Sequence, residues 1–303
     1  MLDGARRNFR RAVTRFSNPS LPEIAGLYWR ALRLQLAARP PRIPHSRVLS
    51  DGARTVISLT TIPARARHVR PALLSLLDQT TPADRIMLAY PETSLRGAGP
   101  YPDPASLNLP DGIDVVRCSD SGPSTKLLPA LSLEPDALII VADDDVIYPR
   151  DFVATLKAAH RREPGTAWGY RGVRLDGKTP FAHLPHLLAS GLAAPAPADV
   201  LFGTWGYAVT AGMLDRAVHD YSGQDDAVRW VDDIWISGHL ARRGVPRKIL
   251  TSSLFPVESP TVLRAALTSG INRSGANDDA AIKVFAGDWG SPAAATGSGG
   301  DDD

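Results

Sequence analysis

Ala137-Leu138-Ile139-Ile140-Val141-Ala142-Asp143-Asp144-Asp145 is an apolar, β-branched run that stops abruptly in three consecutive carboxylates. An apolar run of this length reads as a strand buried on both faces, the kind found at the centre of a parallel sheet. Open α/β sheets bind their ligands beyond the carboxyl ends of such strands, which is where the three acids fall. Adjacent carboxylates repel one another, so a site that keeps them ionised supplies a cation, and hard oxygen donors suit Mg²⁺ or Mn²⁺. The competing reading is an acidic helix-capping turn ahead of Pro149, which explains one acid but not three.

Around this strand, helix-like and strand-like stretches alternate, which is the signature of a mainly parallel sheet flanked by helices. Val56–Thr60 reads as a first strand, His68–Gln79 as a helix packed through its leucines, and Arg85–Tyr90 as a second strand. A loop rich in proline and glycine follows from Pro91 to Pro110, then a short strand at Ile113–Arg117 and a helix at Lys126–Leu133. After the acids, Asp151–Arg161 reads as a helix, and Trp168–Leu175 and Val200–Thr210 read as strands separated by an Ala/Pro/His-rich loop of no legible conformation. Val231–Arg243 is an amphipathic helix closed by Gly244, and Pro246–Leu250 a last short strand. Within the unread loop, His183 and His186 are three apart, but Pro185 between them opposes a helical metal pair.

The 303 residues suffice for one large α/β domain, expected over residues 51–290. Residues 291–303 form a low-complexity tail expected to be disordered. The lone Cys118 excludes an intramolecular disulfide framework and a cysteine-based zinc site, in keeping with a reducing compartment. Residues 1–50 carry ten arginines against Asp3 and Glu23; of the overall charge of +2 this arm contributes +8, leaving −6 on the body. Within the arm, Leu21 to Leu36 suits a helix capped by Ser20 with Pro22 in its first turn. Its apolar face, with Trp29 and flanking arginines, matches either an anionic membrane surface or packing on the body. No apolar run reaches the ~20 residues of a membrane span, and no cleavable leader is evident, so the expectation is a cytoplasmic protein, with the arm on the inner face of the membrane. The acidic body and the lack of a reading motif argue against nucleic acid as a partner.

Taken in order, Thr60-Thr61-Ile62-Pro63 after the first strand, Ser75-Leu76-Leu77-Asp78-Gln79-Thr80 at a helix end, the acid triplet and Asp232-Asp233 opening a late helix resemble the GT-A glycosyltransferases over roughly residues 54–252. The resemblance implies a Rossmann-like fold, a nucleotide-sugar donor, a saccharide or lipid-linked acceptor, and a divalent cation, Mn²⁺ or Mg²⁺, on the acidic motif. It makes Asp145 the direct metal ligand, sets Asp143 against the ribose or the metal shell, and puts Asp144 on the donor side. Thr60, Thr61 and Arg65 fall where the nucleobase and ribose would lie, although loop polarity explains them equally well. Lys126, in Ser121-Gly122-Pro123-Ser124-Thr125-Lys126, precedes a helix whose first N–H groups would receive a phosphate or a sugar hydroxyl; its competing reading is a surface lysine.

The resemblance also makes Asp233, with Asp232 next to it, the expected general base that deprotonates the acceptor in an inverting transfer. Adjacent helical residues diverge, so one of the two is expected to serve the acceptor while the other caps the helix or meets a cation. A favourable acidic start to a helix is the alternative. Gly203, Thr204 and Trp205 suit an acceptor pocket, since glycine admits close approach and an indole stacks on the apolar face of a sugar; core packing of Trp205 is the equal alternative. No histidine follows His239, so a further metal ligand would come from water or from Asp278, Asp279 or Asp288. Bacterial surface polysaccharide or glycolipid synthesis is the implied setting. A sugar nucleotidyltransferase is the nearest competing enzyme, but the first strand lacks its glycine-rich basic loop. A non-catalytic nucleotide-sugar-binding protein of the same fold is the other competitor.

Overall fold

The computed structural model describes residues 21–36, 54–95, 97, 99–259 and 276–289. The proline-rich linker after Arg39, most of the arginines of the arm and the tail from Ser291 lie outside them. A helix α1 spans Leu21–Leu36 and precedes the body. The body opens with β1 (Thr55–Thr60), α2 (Arg70–Leu77), β2 (Arg85–Pro91), β3 (Asp114–Cys118), α3 (Leu128–Leu133) and β4 (Leu138–Val141). Then come β5 (Val146–Ile147), α4 (Phe152–Arg162), β6 (Ala167–Gly169), β7 (Arg171–Val173), β8 (His186–Leu188), β9 (Ala196–Pro197), β10 (Val200–Leu201) and β11 (Tyr207–Thr210). The last elements are α5 (Asp232–Arg242), β12 (Arg247–Ile249), β13 (Val257–Glu258) and α6 (Ala276–Val284).

The central sheet runs β3-β2-β1-β4-β11-β6-β12-β9, with β5 and β13 forming a separate ribbon and β10-β7-β8 a small antiparallel sheet. The first four strands are mutually parallel, as are β6 and β12, while β11 runs antiparallel between β4 and β6. All four residues of β4 are buried, as an apolar run without alternation requires. The chain leaves β1 towards β2 and β3 and then returns to β4 on its other side, so a topological switch point lies between β1 and β4. Crevices open at such points because the connections on either side diverge.

Two expected strands are each split in two. Trp168–Leu175 breaks at Tyr170, with β6 in the central sheet and β7 in the small one. Val200–Thr210 breaks at a turn over residues 202–206, where Trp205 holds φ 77° and Gly206 φ 89°. The helix expected to start at Lys126 instead begins with a 3₁₀ turn, Ser124–Lys126, which leads into α3.

The acid loop is braced from behind. The buried Gln79 amide donates to the Ser75 and Pro149 carbonyls, both at 2.8 Å, and accepts from Val153 N–H at 3.1 Å. Ser75 Oγ accepts from Tyr148 N–H at 3.0 Å, and the Tyr148 hydroxyl accepts the N–H of Asp143 at 2.7 Å. A chain of hydrogen bonds, buried up to Tyr148, thus runs from the end of α2 to the first acid and braces the start of the loop after β4.

Candidate active site

At the switch point lies an open cavity with an empty volume of about 490 Å³, counting space continuous with solvent. Thr60, Thr61 and Arg65 enter it from the end of β1, Asp143 and Asp144 from the end of β4, and Lys126 from the segment after β3. Ile62, Gly122 and Pro123 line it as well, together with Ser94, Tyr101 and Asp120, and none of these last three stands out in the sequence. Tyr101 sits in the Pro/Gly-rich loop, donating its hydroxyl to the Thr61 carbonyl at 3.0 Å and packing edge-on to Tyr90. Asp120 accepts from the N–H groups of Gly122 at 2.7 Å and Leu95 at 2.8 Å, tying two loops together. Its turn chemistry, Asp followed by Ser-Gly-Pro, was the one signal available for it.

Lys126 is the centre of the site rather than a surface residue. Only 9% exposed, it places Nζ 3.2 Å from Asp143 Oδ1 and 3.1 Å from Asp232 Oδ2. Burial works against its charge, but Asp143, Asp232 and Asp233 outweigh it and hold the ammonium well above the ordinary lysine range. The lysine therefore joins the two acidic motifs, whose Asp143 and Asp232 lie 89 residues apart in the chain.

Gly203 is what leaves room for this. Its N–H donates to Asp233 Oδ1 at 2.7 Å, and a Cβ at 203 would overlap the end of the Lys126 side chain and come within 3.2 Å of the same Asp233 oxygen. The turn that presents Gly203 is the one in which Trp205 takes its left-handed backbone. For a bulky residue that conformation is costly and persists only where the surroundings impose it. The Trp205 indole is buried against Phe255 at a ring distance of 6.0 Å, while Thr204 is half-buried.

Asp232 and Asp233, at the start of α5, diverge as helical neighbours must: Asp232 meets the ammonium and Asp233 the Gly203 amide. Burial, and then the neighbouring Asp232, pushes the Asp233 carboxyl up to about 8, with Lys126 opposing. In the other motif, Asp144 accepts from the Thr61 hydroxyl at 2.5 Å and pairs with Arg65 Nη2 at 2.8 Å, and Asp145 pairs with Arg65 Nη1 at 2.5 Å. Burial, and then Asp144, raises the Asp145 carboxyl to about 7. Burial alone would lower the Arg65 guanidinium, but Asp144 and Asp145 outweigh it and keep the group charged. Thr60, by contrast, donates its hydroxyl to the Ala89 carbonyl at 2.8 Å and so serves the sheet as well as the cavity wall.

The oxygens of the triplet are of the kind Mg²⁺ or Mn²⁺ takes. Their arrangement does not fit a resident ion: each carboxylate is turned to a protein cation, and among the described residues no three Asp, Glu, His or Cys side chains converge on one point. Of the C-terminal acids, Asp288 pairs with Arg242 at 3.0 Å, and α6 packs on α5. Burial raises Asp278 to about 6.

No family model and no curated protein matches the sequence. Among solved structures, the chain is similar to the mannosyltransferase PcManGT from Pyrobaculum calidifontis in complex with GDP-Man and Mn²⁺, with 17% identity and a TM-score of 0.42 over 75% of this chain. The match covers 62% of that protein, so the chain spans less than two thirds of its length.

Proposed function

We propose that the protein is a glycosyltransferase of the GT-A type that moves a sugar from a nucleotide donor to a hydroxyl of a saccharide or lipid-linked acceptor. The observation that carries this reading is the juxtaposition of Asp143, Lys126, Asp232 and Asp233: a buried ammonium lies between an acid lining a switch-point cavity and a second acidic pair on a separate helix. A nucleoside diphosphate is the ligand assigned to the cavity: Arg65 and Lys126 bring two cations to a wall that also carries hydroxyls, the Tyr101 ring and the carboxylates of Asp120, Asp143 and Asp144. Departure of that diphosphate builds negative charge on its oxygens, and the same cations face it. The triplet's oxygens are those Mn²⁺ or Mg²⁺ would take to neutralise that charge further; in the arrangement observed, Arg65 and Lys126 hold them instead.

Asp233, fixed by the Gly203 amide, is the group assigned to take the acceptor proton, with its neighbour Asp232 held by Lys126. A carboxylate base opposite the leaving group gives inversion. Such a base is worth ~10²–10⁴ in rate.

A thermal-shift panel of UDP-, GDP-, CMP- and dTDP-sugars, with and without Mn²⁺, tests the reading, since a ligand that binds only the native state raises its stability. One nucleotide class should raise Tm and be cleaved slowly to free sugar and its nucleotide, a nucleoside diphosphate or, for a CMP-sugar, CMP, the donor side of transfer with water as acceptor. Binding without any cleavage would favour a non-catalytic nucleotide-sugar-binding protein. No shift across the panel would remove the donor assignment.

A further inference from the structure

We propose that Arg65 is the resident counter-ion of the acid loop, so that its guanidinium and a divalent cation are alternatives on Asp144 and Asp145. The inference rests on the transferase reading only for the purpose of the metal; the competition itself is read from geometry. Arg65 rises from a tight turn in which its N–H and that of Ala66 both bond the Ile62 carbonyl, at 2.9 Å each, so its backbone is anchored. From there it places one terminal nitrogen on each of two adjacent carboxylates. A cation bound by both would need their oxygens turned to a common point. Arg65 instead holds them on its two separate nitrogens, and it is itself 94% buried, being 6% exposed. Two positive groups cannot share that space, so one must leave when the other enters.

A second observation shows that the pairing is not saturated. The Nε–H of Arg65 is buried without a hydrogen-bond acceptor among the described residues, although the side chain lines the cavity. Native proteins rarely leave such a donor unmade. An anion seated in the cavity would supply that acceptor. With the guanidinium in place, free metal binds the ligand-free protein weakly.

Mn²⁺ titration of the full chain without nucleotide, followed by the loss of the free-ion EPR signal, tests the competition. Arg65→Met should bind one Mn²⁺ at least about tenfold more tightly than the wild type, and the gain should vanish in Arg65→Met/Asp145→Asn. Arg65→Lys, which keeps a charge but cannot bridge both carboxylates, should show a smaller gain in the same direction. It also decides the matter should the methionine variant fail to fold by circular dichroism. A folded Arg65 variant that binds Mn²⁺ no more tightly than wild type overturns the proposal. Failure of every nucleotide sugar in the thermal-shift panel would instead remove the transferase reading and leave the Mn²⁺ comparison intact.

Discussion

Asp233 is faced by Asp232 from its own helix, by Lys126 from the segment after β3, by Asp143 from the end of β4 and by the Gly203 amide. Its carboxyl ionises at about 8, so below that pH the proposed base carries its proton. Transfer should rise about tenfold per pH unit up to that point and level off above it. Asp233→Asn should abolish this limb while leaving nucleotide binding intact, as a kcat profile against a binding isotherm would show; a surviving limb would assign it to another group. The sign for stability is the reverse. An unfolded Asp releases its proton near ~3.9, so between that pH and about 8 the folded protein holds a proton the unfolded chain has lost. Stability at this residue therefore falls as pH rises through the window. The Tm values of the wild type and Asp233→Asn should separate from pH 5 to pH 8, with the variant the more stable.

At the level of elements, the acid loop depends less on β4 than on the residues behind it. Gln79 joins the end of α2 to the β5–α4 connection through two hydrogen bonds, to Pro149 and Val153, and a third holds it to Ser75, from which Tyr148 carries the link on to Asp143. Gln79→Ala leaves a buried N–H and two carbonyls short of partners, each costing ~1–3 kcal/mol when unmade. Urea midpoints should place the total loss at about 2–4 kcal/mol, with nucleotide affinity reduced alongside. A loss under about 0.5 kcal/mol would mean that water replaces the amide and the brace is dispensable. Gln79 lay within a stretch that the sequence resemblance singled out, but its purpose was not legible there, because Pro149 and Val153 are some seventy residues away.

Across the whole molecule, α1 answers the question that the arm's sequence left open by having two apolar faces. Leu27 and Ala31 are buried on the body, and Arg30 clamps it: Nε to Asp78 Oδ2 at 2.8 Å, Nη2 to the Asp78 and Ser75 carbonyls, and Nη1 to the Tyr148 carbonyl at 2.5 Å. The opposite stripe exposes Leu21, Trp29, Leu32 and Leu36, with Trp29 64% and Leu36 76% exposed. These positions recur at helical spacing, and Arg33 is exposed among them. No helix among the described residues is long and apolar enough to cross a membrane. With the +8 charge of residues 1–50, the exposed stripe suits the surface of an anionic bilayer, on which the helix would lie. Trp29→Ser/Leu32→Ser/Leu36→Ser should lose sedimentation with phosphatidylserine vesicles while keeping the wild-type Tm. Equal sedimentation would remove the membrane from the reading. Deleting the arm is the poorer experiment, because it removes Arg30 from beneath the acid loop.

What the sequence alone determined is whatever is written in contiguous residues. The apolar run of β4 ending in three acids placed a buried strand and a ligand-facing loop. The alternation of strand and helix placed a mainly parallel sheet, and the amphipathic pattern placed the helix that begins at Asp232. Tertiary structure decided the partners. Lys126, read in the sequence as a residue for a phosphate or sugar hydroxyl, became the link between Asp143 and Asp232, and Arg65 became the cation on Asp144 and Asp145. Tyr101 and Asp120 entered the cavity from loops without periodicity, and two continuous apolar stretches broke at Tyr170 and at the turn that carries Gly203. The reason is physical: hydrophobic periodicity reports burial against the local chain direction, whereas an ion pair between distant residues depends on which segments the packed sheet brings within a few ångströms.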